Sequence, residues 1–147
     1  MELKQAMPAL PVQEIAAAVD FYERRLGFMA FHRDAGFARL RRGDVELTLW
    51  AANDDRWRRR LRAALEAPGQ VDPDTARMVV SGAESFLAGT GSCRVEVAGI
   101  DDLYAEYRAA GVLHSPDTVV ERRPWGERDF TALDLHRNAL TFYERTD

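Results

Sequence analysis

The chain has 147 residues, 46% of them hydrophobic and 30% charged, with a formal net charge of -4. That length supports one domain with its own core, and the mild acidity speaks against a nucleic-acid partner and suits a cationic one. No stretch is long or apolar enough to span a membrane, the N-terminus lacks a signal-peptide pattern, and the lone Cys93 excludes an intramolecular disulfide or a cysteine zinc cage, so a cytoplasmic protein is expected.

Leu3 to Val12 reads as a short strand interrupted by Pro8 and Pro11. Proline cannot donate to a ladder, so this strand belongs at a sheet edge or in an arm that leaves its own subunit. Glu14 to Leu26 reads as a helix, with Ile15, Val19, Tyr22 and Leu26 on one face and Gly27 as the stop. Phe28 to His32 and Phe37 to Arg42 read as strands joined by a turn at Asp34-Ala35-Gly36. Val45 to Ala51 follows as a third strand, in which Val45, Leu47 and Leu49 alternate with Glu46, Thr48 and Trp50. One face should therefore pack on helices while the other carries polar groups and an aromatic rim.

Residues 53 to 91 read as an insertion, with a helix over Asp54 to Ala67 whose arginines lie on a solvated face. From Ser92 the first pattern returns. Cys93, Val95 and Val97 alternate with Arg94 and Glu96, and Asp101 to Ala110 reads as a helix burying Leu103, Tyr107 and Ala110. Val119 to Arg123, Phe130 to Leu133 and Ala139 to Glu144 read as strands, with Pro124-Trp125-Gly126 as a loop and Asp134 to Asn138 as a turn. Cys93 has the parity of a buried thiol on a central strand. The chain is thus one strand-helix-three-strand plan used twice: module one at about 3–52, module two at about 92–146.

Several stretches carry a resemblance: Ala18-Val19-Asp20-Phe21-Tyr22 with Leu26-Gly27-Phe28, Phe31-His32-Arg33-Asp34-Ala35-Gly36-Phe37 followed by Arg42-Gly43-Asp44, Gly99 to Glu106, and Pro124-Trp125-Gly126. Together they resemble the vicinal oxygen chelate superfamily of glyoxalase I, extradiol dioxygenases and fosfomycin-modifying proteins, and within it the bleomycin-binding resistance proteins. The resemblance implies an α+β fold of two βαβββ modules forming curved mixed sheets, in a homodimer that exchanges its N-terminal strand. It places the superfamily's four inward metal-ligand positions at Met7, Thr48, Ser92 and Thr141, none of them a good ligand for a divalent metal. The implied function is non-catalytic sequestration of a small-molecule antibiotic of the bleomycin class, with no metal or cofactor. Alternatives are a metal-dependent lyase or dioxygenase, a thiol transferase, or a module for an unrelated small molecule.

The candidate ligand contacts are His32, Asp34, Phe37, Glu46, Trp50, Glu96, Trp125 and Tyr143. Trp125 is singled out because an indole in a Pro-Trp-Gly loop is better placed to form a contact surface than to fill a core, and the resemblance gives it the drug's flat bithiazole to stack on. Asp34, Glu46 and Glu96 are expected to meet cationic groups, with Arg39 and Arg94 partly cancelling the two glutamates.

Overall fold

The computed structural model describes residues 1–52, 66, 69 and 88–146. The expected helix over Asp54 to Ala67 and most of the insertion lie outside the described residues. Module one runs β1 (Ala9–Val12), α1 (Ile15–Arg25), β2 (Met29–Arg33), β3 (Phe37–Arg42) and β4 (Val45–Ala51). Module two runs β5 (Ser92–Glu96), α2 (Ile100–Ala110), β6 (Glu121–Arg123), β7 (Glu127–Leu133) and β8 (Ala139–Arg145). Each module forms a four-stranded mixed sheet, in the orders β1-β4-β3-β2 and β5-β8-β7-β6. The two sheets repeat closely: Val12 and Val97, Ile15 and Ile100, Tyr22 and Tyr107 are each 85 positions apart.

Local chemistry sets the helix ends. The Glu14 carboxylate caps α1 by accepting from the amides of Ala16 at 2.9 Å and Ala17 at 2.7 Å. Gly27 ends that helix at φ 72°, a left-handed conformation that favours glycine. Asp101 and Asp102 lie in the first turn of α2, at its positive end.

Strand parity follows the sequence pattern. Leu47, Leu49, Val95, Leu140 and Phe142 are buried with Ile15, Val19, Tyr22, Leu103 and Tyr107 in one core beneath the helices. Burying each such large side chain stabilises by about 1.5–3 kcal/mol. Glu46, Thr48, Ser92, Arg94, Glu96 and Thr141 take the opposite parity, on the polar sheet faces.

Four details differ from expectation. The first concerns β1, which is shorter than Leu3 to Val12; it lies at the expected sheet edge and pairs in parallel with β4, Leu10 opposite Leu49 and Val12 opposite Ala51. The prolines permit this because of ladder geometry. The Thr48 and Ala52 amides donate to the carbonyls of Pro8 and Val12. Pro11 lies between, its backbone turned to the outer edge, where its carbonyl accepts from Asn138 Nδ2 at 2.8 Å and no donor is needed. Second, β6 begins at Glu121 and leaves Val119 exposed. Third, β7 begins three residues early, at Glu127, so Pro124-Trp125-Gly126 is a tight hairpin turn with Gly126 at φ 85°. Fourth, β5 is an edge strand, so Cys93 is half-buried rather than central.

The modules are joined by reciprocal bonds from equivalent tyrosines. Tyr22 of α1 donates to Asp134 Oδ2 at 2.9 Å, and Tyr107 of α2 donates to the Leu26 carbonyl at 2.8 Å. Asp134 is further held by the Asn138 and His136 amides and by Asn138 Nδ2. Burial, and then the neighbouring Asp134 carboxylate, hold the Tyr22 hydroxyl neutral well above its ordinary range.

Candidate ligand-binding faces

The eight candidate contacts fall into two groups, one on each polar sheet face. On module one, β3 and β4 set Phe37 opposite Trp50, Arg39 opposite Thr48 and Arg41 opposite Glu46. A register shift between Ala30 and His32 marks a bulge in β2 at Phe31. His32 then stacks on Phe37 with ring centroids 4.7 Å apart and planes at 28°, while the Arg39 and Arg41 guanidinium groups lie 5.0 and 5.2 Å from the Phe31 ring. Phe31 is 49% exposed and Phe37 38% exposed. The result is an aromatic shelf of Phe31, His32, Phe37 and Trp50.

The carboxylates of this face are engaged. Asp34 Oδ1 accepts from the amides of Gly36 at 2.7 Å and Phe37 at 3.1 Å, fixing the turn, and Oδ2 meets His32 Nε2 at 3.0 Å. The His32 bond, and then the two turn amides, hold its carboxyl below the usual range. Asp34 therefore shapes the turn that presents Phe37, in addition to its expected electrostatic part. Glu46 accepts from Arg41 Nε at 3.1 Å and Arg39 Nη2 at 2.8 Å, and these bonds, Arg41 first, depress its carboxyl.

On module two, Trp125 is 62% exposed at the β6–β7 turn. Its indole N–H donates to Glu127 Oε2 at 2.8 Å, and Arg94 Nη2 donates to the same oxygen at 2.6 Å. The Arg94 guanidinium in turn lies 4.8 Å above the Tyr143 ring. Trp125, Glu127, Arg94 and Tyr143 thus form one connected line across the face. Arg94 was expected to offset Glu96, but Glu96 pairs with Arg145 at 3.3 Å. Residues i and i+2 of one strand lie roughly 6–7 Å apart, and cross-strand neighbours are closer. Behind this line Asp129, 4% exposed, accepts from Arg123 Nε at 2.9 Å.

Glu127, Arg41, Arg123 and Asp129 are the residues missed from sequence. The signal for two of them was present: Glu127 and Asp129 continue with Thr131 an alternation against Arg128, Phe130 and Ala132, which extends β7 upstream of Phe130.

The four superfamily ligand positions do not fit a metal. The Thr48 hydroxyl donates to the Met7 sulfur at 3.1 Å, and the Thr141 hydroxyl shares a 2.9 Å hydrogen bond with Thr131. A thioether and neutral hydroxyls are poor donors for the hard or borderline divalent ions of this superfamily. Nor is a thiol nucleophile poised here, because burial pushes Cys93 up to about 11.

Paired βαβββ modules define a class, and a family comparison agrees. Residues 4–142 match the Glyoxalase/Bleomycin resistance protein/Dioxygenase superfamily, and the chain belongs to it. Within that superfamily it is similar to the bleomycin resistance protein of Geobacillus stearothermophilus, 41% identical over 141 residues that cover 96% of each chain. Among solved structures it resembles a bleomycin resistance determinant encoded on the transposon Tn5, with TM-score 0.65 and 25% identity over 97% of this chain and 98% of that one. It likewise resembles a bleomycin-binding protein complexed with bleomycin, with TM-score 0.64 and 25% identity over 97% and 99% of the two chains.

Proposed function

We propose that this chain binds a flat, cationic antibiotic of the bleomycin class and sequesters it without transforming it, acting as a cytoplasmic homodimer. The observation that carries the reading is Trp125: a large indole, mostly exposed, yet held in one orientation by Glu127. A fixed exposed aromatic is a stacking platform, and stacking on a flat ring system contributes on the order of 1 kcal/mol beyond area burial. The shelf of Phe37 and Trp50 supplies a second apolar surface. Similarity to a bleomycin resistance protein along 96% of the chain supports the choice of ligand.

The two aromatic groups lie on different sheets. A homodimer that opposes module one of one subunit to module two of its partner would let one ligand touch both, and this is the reason for proposing the dimer. Sequestration rather than chemistry is favoured by the donor set at Met7, Thr48, Ser92 and Thr141 and by the neutral Cys93 thiol. No helix among the described residues is long and apolar enough to cross a membrane.

Calorimetry with metal-free and copper-bound bleomycin tests the reading. Saturable heat of binding is expected, with Trp125→Ala weakening it by roughly 2 kcal/mol or more and Trp125→Phe by less. Absence of heat at tens of micromolar for both forms rejects bleomycin as the ligand. Sedimentation velocity tests the dimer separately, and a monomer at micromolar concentration refutes it.

A further inference from the structure

The duplicated plan seats a hairpin turn of each module against the strand-helix corner of the other, and the two seats are filled differently. Module two offers the five-residue turn 134–138 between β7 and β8. That turn fills its seat: Asn138 Nδ2 donates to the Pro11 carbonyl at 2.8 Å, Tyr22 donates to Asp134 at 2.9 Å, and Asp134 and Asn138 are 4% and 0% exposed. Module one offers only Gly43 and Asp44 between β3 and β4.

The repeat identifies the opposite seat. An offset of 85 turns Pro11 into Glu96 and Tyr22 into Tyr107. The Val97 amide donates to the Tyr143 carbonyl, so the ladder turns the Glu96 backbone to the outer edge of β5, as it turns Pro11 at β1. Arg42 reaches across this second seat, gripping Glu106 through two hydrogen bonds of 2.8 Å and lying 3.3 Å from the Tyr107 hydroxyl.

What the short turn leaves is a groove of about 510 Å³ between the modules, within the roughly 300–1,000 Å³ of small-molecule pockets. Its floor is apolar, made by Val45, Val95, Val97, Leu103 and Phe142. Its rim is acidic: Asp44, Asp102 and Glu106 stand against Arg42, with the Glu96 backbone at the β5 edge. Glu106 is taken by Arg42 and Glu96 pairs with Arg145, while Asp44 and Asp102 make no ion pair among the described residues.

We infer that this groove is a second ligand site, apart from the polar sheet faces, for a small molecule that joins an amine or guanidine to an apolar body. The apolar body covers the floor that a longer turn would have covered. The cationic head sits between Asp44 and Asp102, where a charge-assisted hydrogen bond is stronger than a neutral one. An N–H donor at the β5 edge takes the place beside Glu96 that the Asn138 amide takes beside Pro11.

The test titrates uniformly ¹⁵N-labelled protein with tryptamine, and in parallel with indole-3-propionate, an acid of similar shape, following amide shifts. Tryptamine should move the amides of Gly43, Asp44, Ala98 and Gly99 saturably at roughly millimolar concentration, and the acid should not. The D44N/D102N double variant changes two exposed side chains, and unchanged cross-peaks elsewhere verify its fold. It should lose about tenfold in tryptamine affinity through the missing charge while keeping its affinity for copper-bound bleomycin. The inference is overturned by any of three results: no saturable shift of those amides by about 10 mM tryptamine, an equal response to the acid, or an undiminished response in the variant.

Discussion

Glu127 offers a way to separate having an indole from holding it. One oxygen of Glu127 receives both the Trp125 N–H at 2.8 Å and the Arg94 guanidinium at 2.6 Å, so Glu127→Ala leaves the Trp125 ring on its turn but frees it to rotate. A bound ligand must then immobilise that ring, which costs about 0.5–1.5 kcal/mol, a two- to twelve-fold rise in Kd. Glu127→Gln keeps an acceptor of the same shape and should lose less. The decisive comparison is a double-mutant cycle with Trp125→Phe, measured by calorimetry with copper-bound bleomycin. Phenylalanine has no N–H to hold, so Glu127→Ala should cost close to nothing in that background, and the two changes should couple. The reasoning fails if Glu127→Ala leaves the wild-type affinity unchanged, or if its full cost persists beside Phe at position 125, because Glu127 would then act by touching the ligand.

The equivalent tyrosines should respond unequally to losing their hydroxyls. Tyr22→Phe deprives the buried Asp134 carboxylate of a donor and should cost about 2 kcal/mol, whereas Tyr107→Phe removes a bond to a neutral carbonyl and a long 3.3 Å bond from Arg42, which keeps Glu106 and the Leu26 carbonyl as acceptors, and should cost about 1 kcal/mol; thermal unfolding checks the order, and a larger loss for Tyr107→Phe would contradict it. Cys93, its thiol pushed up to about 11 by burial, should resist alkylation near pH 8 in the native protein and react once unfolded. Rapid stoichiometric labelling of the native state would count against this. The carboxyls of Glu144, held down chiefly by Arg128, and Glu46, held down chiefly by Arg41, should make the fold acid-sensitive. Their folded values lie below the unfolded ones, so their contribution is complete above the ordinary carboxylate value of about 4 and is lost as pH falls through the lower folded values. Urea midpoints across that window should fall less steeply for Glu144→Gln than for the parent, and identical slopes would exclude Glu144 as a source.

What the sequence disclosed was mainly what depends on periodicity. Val45, Leu47 and Leu49 announce the buried face of β4, and the bounds of β3 and β4 match expectation, because alternation and glycine turns act locally. The bond from Tyr22 to Asp134 spans 112 residues of sequence and leaves no periodic trace, so the filled seat between the modules was invisible. Pro8 and Pro11 marked β1 as an edge strand, but composition names the missing donor without saying which side of the ladder it faces. The start of β7 was lost because Glu127, Arg128 and Asp129 look like solvated loop, and only their cross-strand partners Arg145, Glu144 and Tyr143 make them strand. Trp125 was legible as an exposed loop indole, while the line from it through Glu127 and Arg94 to Tyr143 needed three-dimensional pairing.

That pairing also changes how a cationic ligand would be recognised. Each acidic residue expected to attract it already has a partner: Glu46 has the cations Arg39 and Arg41, Glu96 has Arg145, and Asp34 has hydrogen bonds to His32 and to its own turn. Paired charges in a partly exposed face contribute little net attraction over distance, and salt screens what remains. The unspent resource of both faces is aromatic surface: the half-exposed Phe31 and Phe37 on one sheet and Trp125 on the other. The carboxylates instead fix the rings, since Asp34 ties down the turn that presents Phe37 and Glu127 ties down the Trp125 indole. On the proposed reading, recognition would therefore be a matter of preorganised stacking, in which acidic side chains act on the ligand through the orientation of the rings they hold.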